Sequence, residues 1–153
     1  MKPLARRLAL TFLAASLLPL PPAAFAQTPA ATPPATQPAD TAAGQAAAEQ
    51  WLALVDAGDY AGSWRAAASY FQGAVDEAKW TASIGPVRQP LGKMLTRKLL
   101  VARFSSQMPG APDGRYVFLQ FQTDFENKKT AVETVVPMLD RDGHWRVSGY
   151  YVR

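Results

Sequence analysis

Glu133 stands in the run Ala131-Val132-Glu133-Thr134-Val135-Val136, where nearly every neighbour is apolar. An ionised carboxylate in such surroundings needs a cation or a set of donors. Arg88 and Arg97, on either side of Pro90-Leu91-Gly92, are placed to supply one. Three arrangements are open. Glu133 can form a buried ion pair that pins a helix to a sheet. It can instead line a pocket with a raised pKa, as a ligand anchor or as a general base, with a tyrosine hydroxyl donating to a developing oxyanion. Or it can lie on an exposed edge. Under the pocket reading the candidate ligand site is Trp80, Arg88, Arg97, Glu133 and Tyr150, and Glu133 is the candidate catalytic group.

Other chemistries lack their residues. His144 is the single histidine and follows the Asp142-Gly143 turn, a poor setting for a serine–histidine–aspartate triad and insufficient for a histidine-based metal site. Asp140 and Asp142 lack the loop and terminal glutamate of an EF-hand. Gly58, Gly62 and Gly73 are too dispersed for a phosphate-binding loop. The absence of cysteine excludes disulfides, thiolate catalysis, cysteine-ligated metals and a lipid anchor on an N-terminal cysteine. No cofactor and no metal are expected. Tyr116, Tyr150 and Tyr151 supply hydroxyls, Asp124 near a strand end is expected to be solvated, and Trp51, Trp64, Trp80 and Trp145 read as core anchors.

The elements that must hold these groups occupy part of a 153-residue chain. Lys2, Arg6 and Arg7 precede the apolar run 8–20, and Ala24-Phe25-Ala26 follows: the order of a secretory leader cut after Ala26. The run is too short for an ordinary membrane-spanning helix, so no stable membrane anchor is expected after cleavage, and export to the periplasm or beyond is. The general secretory route fits better than the twin-arginine one, because the flanks of Arg6-Arg7 suit the latter poorly. The leader holds three of the sixteen basic residues and no acidic one, leaving thirteen basic against twelve acidic. No basic face for nucleic acid remains. Residues 27–44, rich in proline, alanine and threonine, read as an extended, disordered linker. The folded domain is expected over 45–153.

Its first half reads as three helices. Ala48, Trp51, Leu52 and Val55 share one helical face; Tyr60, Trp64, Ala67, Ala68 and Phe71 share a second, after Asp59; Trp80 and Ile84 continue a third, opened at Asp76, that Pro86 should break near Ile84. The second half reads as four strands, 97–107, 115–126, 130–140 and 144–152, joined by short turns and therefore antiparallel. The order predicts an α+β domain, with three N-terminal helices packed on a four-stranded antiparallel sheet. A turn centred on Asn127-Lys128 would pair Gln122 with Glu133 and Gln120 with Val135. Val132, Val136 and Met138 would then face the helices. Phe118, Val135 and Leu139 would form an apolar patch on the open face, the kind of surface that marks an interface.

The run Trp80…Arg88-Gln89-Pro90-Leu91-Gly92…Arg97, then Pro112-Asp113-Gly114-x-Tyr116-Val117, Phe121-x-Thr123-x-Phe125, Glu133 and Asp142-Gly143-x-Trp145-Arg146-Val147-x-Gly149-Tyr150, resembles the bacterial domain family of unknown function numbered 4019 over about residues 45–153. Such domains are similar in element order to the cystatin-like, nuclear-transport-factor-2-like (NTF2-like) superfamily. The resemblance implies a curved sheet around helices, often with a conical pocket, and sheet-to-sheet homodimers; it implies no catalytic role. Three functions follow as expectations. The first is a non-catalytic binding module for a small apolar or amphipathic ligand or a peptide, seated between helices and sheet. The second is an interaction or assembly domain using the open sheet face, with a homodimer as one form. The third is an isomerase-like or hydrolase-like enzyme built on Glu133.

Overall fold

The computed structural model describes residues 37–153; the leader and residues 27–36 of the linker lie outside the described residues. The order is α1 (Gln37–Asp56), α2 (Tyr60–Arg65), α3 (Ser69–Ala74), α4 (Glu77–Arg88), a 3₁₀ turn (Gln89–Leu91), β1 (Met94–Ser105), β2 (Tyr116–Phe125), β3 (Ala131–Leu139) and β4 (Trp145–Val152). The strands form one antiparallel sheet in the order β1-β2-β3-β4. The α+β expectation holds, with four α-helices among the described residues where three were expected.

Each difference in the helices has a local cause. Residues 37–44, expected in the linker, are the opening of α1. Alanine and glutamine favour the helix, and the segment has tertiary partners despite lacking a large apolar residue: Asp40 is buried in an ion pair with Arg115, and Gly44 lies against Val117. The second helix is divided into α2 and α3. Between them Ala68 is extended and donates its backbone N–H to the Val147 carbonyl on β4, at 2.8 Å. Asp140, at the end of β3, then caps α3 by accepting from the Ser69 N–H and hydroxyl. Finally α4 continues through Pro86 to Arg88. Gln89 N–H still reaches the Gly85 carbonyl, and the Arg88 side chain is held beyond the helix by two carboxylates.

Alpha1 lies across all four strands, α3 packs on β4, and α4 packs on α2 and meets the sheet directly through Arg88, its last residue. Trp51, Leu52 and Val55 of α1 meet Trp80 and Ile84 of α4 and Val117, Leu119, Phe121, Val135, Val147 and Tyr150 of the sheet. All four tryptophans pack in or against the core, and three have satisfied indoles: Trp51 donates to the Ser63 carbonyl, Trp80 to the Ser63 hydroxyl and Trp64 to the Val75 carbonyl.

The register of β3 differs by one residue from the sequence expectation. Phe121 pairs with Glu133, Gln122 with Val132 and Leu119 with Val135. The cause is the turn. Thr130 takes a left-handed conformation, φ 53°, rare for a β-branched residue. Its N–H donates to Asp124 Oδ1, and Phe125 N–H donates to the Lys128 carbonyl. Asp124 is thus half-buried and engaged by the turn. One residue of slip exchanges the faces of a strand. Val135 and Glu133 point toward the helices, while Val132, Thr134, Val136 and Met138 share the outer face with Phe118 and Tyr151. Leu139 is half-buried beside Trp145.

A Cβ on Gly44 would stand 2.6 Å from Val117 Cγ2, so the absence of a side chain sets how closely α1 approaches β2. Gly44→Leu improves helix propensity by about 1 kcal/mol, but overpacking of this kind costs about 1–3 kcal/mol or more. The expected result is a melting temperature lowered by roughly 5 °C or more, read by circular dichroism.

Candidate functional site

Four of the five sequence candidates meet in one cluster; the fifth does not. Glu133 is fully buried, and both of its oxygens are taken. Oε1 accepts from the Tyr150 hydroxyl at 2.6 Å and from Arg88 Nη1 at 3.4 Å. Oε2 accepts from the Thr123 hydroxyl at 2.6 Å and from Arg97 Nε at 2.7 Å. A carboxylate offers about four acceptor positions, and each has a donor. Trp80 lies apart, edge-on to Phe71 with ring centres 5.0 Å apart, and 5.9 Å from Trp51, which in turn stands 5.4 Å from Tyr150.

Alternation along the strands and the end of one helix place these groups. Thr123 shares the inner face of β2 with Phe121 and Phe125. Arg97 is paired across from Thr123 on β1, and Tyr150 comes inward on β4. Arg88 is the last residue of α4, with its guanidinium 4.4 Å from the centre of the Phe125 ring, a cation–π contact.

The sequence reading missed two members. Asp56 bridges both arginines: it accepts from Arg88 Nη2 at 2.5 Å, and from Arg97 Nη1 at 2.7 Å and Nη2 at 3.0 Å. A signal for it was present, since Asp56 ends α1, where the helix dipole disfavours an acid unless it has a cation. Thr123 was missed as well, although it alternates with two inward phenylalanines. The cluster therefore balances two guanidinium groups against two carboxylates.

This arrangement is the ion pair that joins helix to sheet. It does not suit acid–base chemistry, because Glu133 has no lone pair left for a substrate proton and no cavity before it. At least four grooves indent the surface formed by the described residues, and Glu133, Arg97, Tyr150 and Trp80 line none of these four. Of the cluster, Asp56 and Arg88 line one of these grooves, of about 260 Å³ and also bordered by Tyr60, Lys93 and Glu126, while Arg97 is partly exposed outside all four. His144 is exposed, and among the described residues no group of histidine, aspartate and glutamate could hold a metal ion. No helix of the described residues is long and apolar enough to cross a membrane.

Replacing one member of a buried pair leaves its partner uncompensated, at a cost of about 3–5 kcal/mol. Glu133→Gln is expected to lower the melting temperature by roughly ten degrees or more. A melting temperature unchanged in this variant would contradict the structural role. Tyr150 gives a pH signature. Burial, and then the Glu133 charge, push its hydroxyl far above its ordinary value of 10. The folded protein keeps this proton where the unfolded chain, above about pH 10, releases it. Stability is thus full below that pH and falls as pH climbs toward the folded value. Tyr116 is raised by burial too and acts in the same direction. Urea unfolding across alkaline pH is expected to show a decline that is shallower in Tyr150→Phe.

Residues 47–150 match the family model described as protein of unknown function (DUF4019), about two thirds of the chain and every member of the cluster. No curated protein and no solved structure matches the chain. An α+β domain with an open four-stranded antiparallel sheet, a buried charge cluster joining its halves and a match across both make this chain a member of the DUF4019 family.

Proposed function

We propose that the protein is an exported, non-catalytic binding module, and that its ligand is an uncharged apolar or amphipathic small molecule held on the outer face of the sheet. One observation carries this reading. A groove of about 420 Å³ lies there, with Phe118, Val136 and Gly149 as its floor and Tyr70, Met108 and Tyr151 among its walls. Its volume falls within the range of small-molecule sites, about 300–1,000 Å³, and no charged residue lines it. A cation would lose its water there without finding a counterion, and the nearby charge of Arg103, over the Phe118 ring, lies outside the lining. The interior between helices and sheet, where the sequence placed the ligand, is filled by the aromatic core and the saturated charge cluster. The enzyme reading built on Glu133 is set aside for the same reason.

The arrangement of helices on one face of a four-stranded antiparallel sheet supports kinship with cystatin-like and NTF2-like domains. The leader-like residues 1–26 support export; cell fractionation with N-terminal sequencing tests this, and a mature terminus at Gln27 is the expected result. A second reading, an interaction domain or homodimer using the same sheet face, is favoured by Tyr151, which is 76% exposed across from Thr134 and lines the groove with Val136.

N-phenyl-1-naphthylamine, an uncharged apolar fluorophore, is the probe. Its fluorescence is expected to rise and saturate with the folded protein. Val136→Asp, which puts a charge on the groove floor without entering the core, is expected to weaken this by about tenfold or more, with the melting temperature nearly unchanged. Equal binding in the variant would overturn the reading. Sedimentation as a dimer that Val136→Asp dissociates, without probe binding, would establish the second one.

A further inference from the structure

The two edges of the sheet are treated differently by the fold. On β4 the edge carbonyl of Val147 is occupied by the Ala68 N–H, and α3 lies alongside. On β1 no described residue beyond β2 pairs with the strand. An edge strand leaves about half its backbone groups pointing outward without partners. Proteins commonly protect such an edge with charged residues, bulges or short length. At twelve residues β1 is the longest strand, and of the five large hydrophobic residues exposed in the described chain, three are on it: Leu95 at 51%, Leu100 at 50% and Val101 at 37%. Leu95 and Leu100 are also the extra residues at its two bulges. The bulges and the charges of Lys98 and Arg103 guard the edge against pairing with its like, while the leucines at the bulges leave apolar surface beside them.

The charges on β1 point to what covers it. The strand has no acidic residue. Arg97 is committed to the buried cluster, but Lys98 and Arg103 form no ion pair with any described residue. Two copies of β1 in antiparallel contact would bring Lys98 and Arg103 of one copy close to those of the other, and like charges across a strand pair repel. An acidic strand meets neither objection.

We propose that the free edge of β1 is a docking site for an extended segment of a partner protein, one that alternates acidic and apolar residues and adds a fifth strand to the sheet. Backbone bonds to the edge would give the register. The leucines at the bulges and Val101 would be covered, and acidic side chains would meet Lys98 and Arg103. This surface adjoins the outer groove at Arg103, whose guanidinium stands 6.0 Å from the centre of the Phe118 ring, but strand pairing at the edge does not depend on a ligand there.

The test is fluorescence anisotropy with two labelled octapeptides, one alternating valine and glutamate, the other valine and lysine. The acidic peptide is expected to bind at least about tenfold more tightly, and to weaken as sodium chloride rises from about 50 to about 200 mM. The variant carrying both Lys98→Glu and Arg103→Glu changes only side chains that face solvent, and is expected to reverse the preference while keeping its melting temperature. Hydrogen exchange is expected to slow in residues 96–104 when the acidic peptide is bound. Absence of acidic-peptide binding, equal binding of both peptides, an unreversed preference in the variant, or protection on β4 instead would each overturn the proposal. Protection of β1 that grows with protein concentration and no peptide would overturn it in favour of self-pairing.

Discussion

A fully buried carboxylate must be neutralised, and the position of Glu133 binds the rest of the fold to that requirement. Its donors come from four separate segments: α4, β1, β2 and β4. Asp56 of α1 joins them by bridging the two arginines. The sheet register and the charge cluster are therefore one choice. If β3 slipped by one residue, Glu133 would turn to the outer face, and Arg88 would be left in an apolar core with Asp56 alone. The unusual backbone of Thr130, which imposes the observed register, is maintained against its strain by what the register secures at the other side of the strand.

The same saturation moves function away from the interior. A domain whose helix–sheet interface is filled by tryptophans and a closed ion network has little room to admit a ligand there. The open surfaces are those the core does not use: the outer face of the sheet and the edge of β1. The contrast between the edges follows from chain economy. The link from α2 to α3 passes β4 and satisfies part of its edge, whereas α1 crosses the face of β1 and leaves the edge bare.

Much of the fold was legible in the sequence because alternation and helical spacing are local signals. Trp51, Leu52 and Val55, or Val117, Leu119 and Phe121, reveal their buried faces without reference to anything distant. The Glu133–Arg88–Arg97 association was also legible, since a carboxylate in an apolar run demands cations and few were placed to serve. What was not legible depended on contacts between distant segments. Alpha1 extends to Gln37 because Asp40 meets Arg115 and Gly44 meets Val117, pairings invisible from composition. The expected second helix breaks because Ala68 finds a carbonyl on β4. The register failed for a smaller reason: a single left-handed threonine in a turn that carries no glycine to announce it. Asp56 was overlooked although its place at a helix C-terminus was itself a signal.

The cluster also divides evenly along the chain. Asp56 and Arg88 precede Gly92; Arg97 and Glu133 follow it. Each half thus carries one anion and one cation that contact each other directly, and neither must strip water from a lone charge before the other arrives. When helices and strands dock, two neutral dipoles are joined head to tail, and the desolvation cost is that of two pairs in place of four separate ions. The interface between the halves is in this sense self-neutralising: each half cancels its own charge, and the polar centre brings no net charge into an otherwise apolar core.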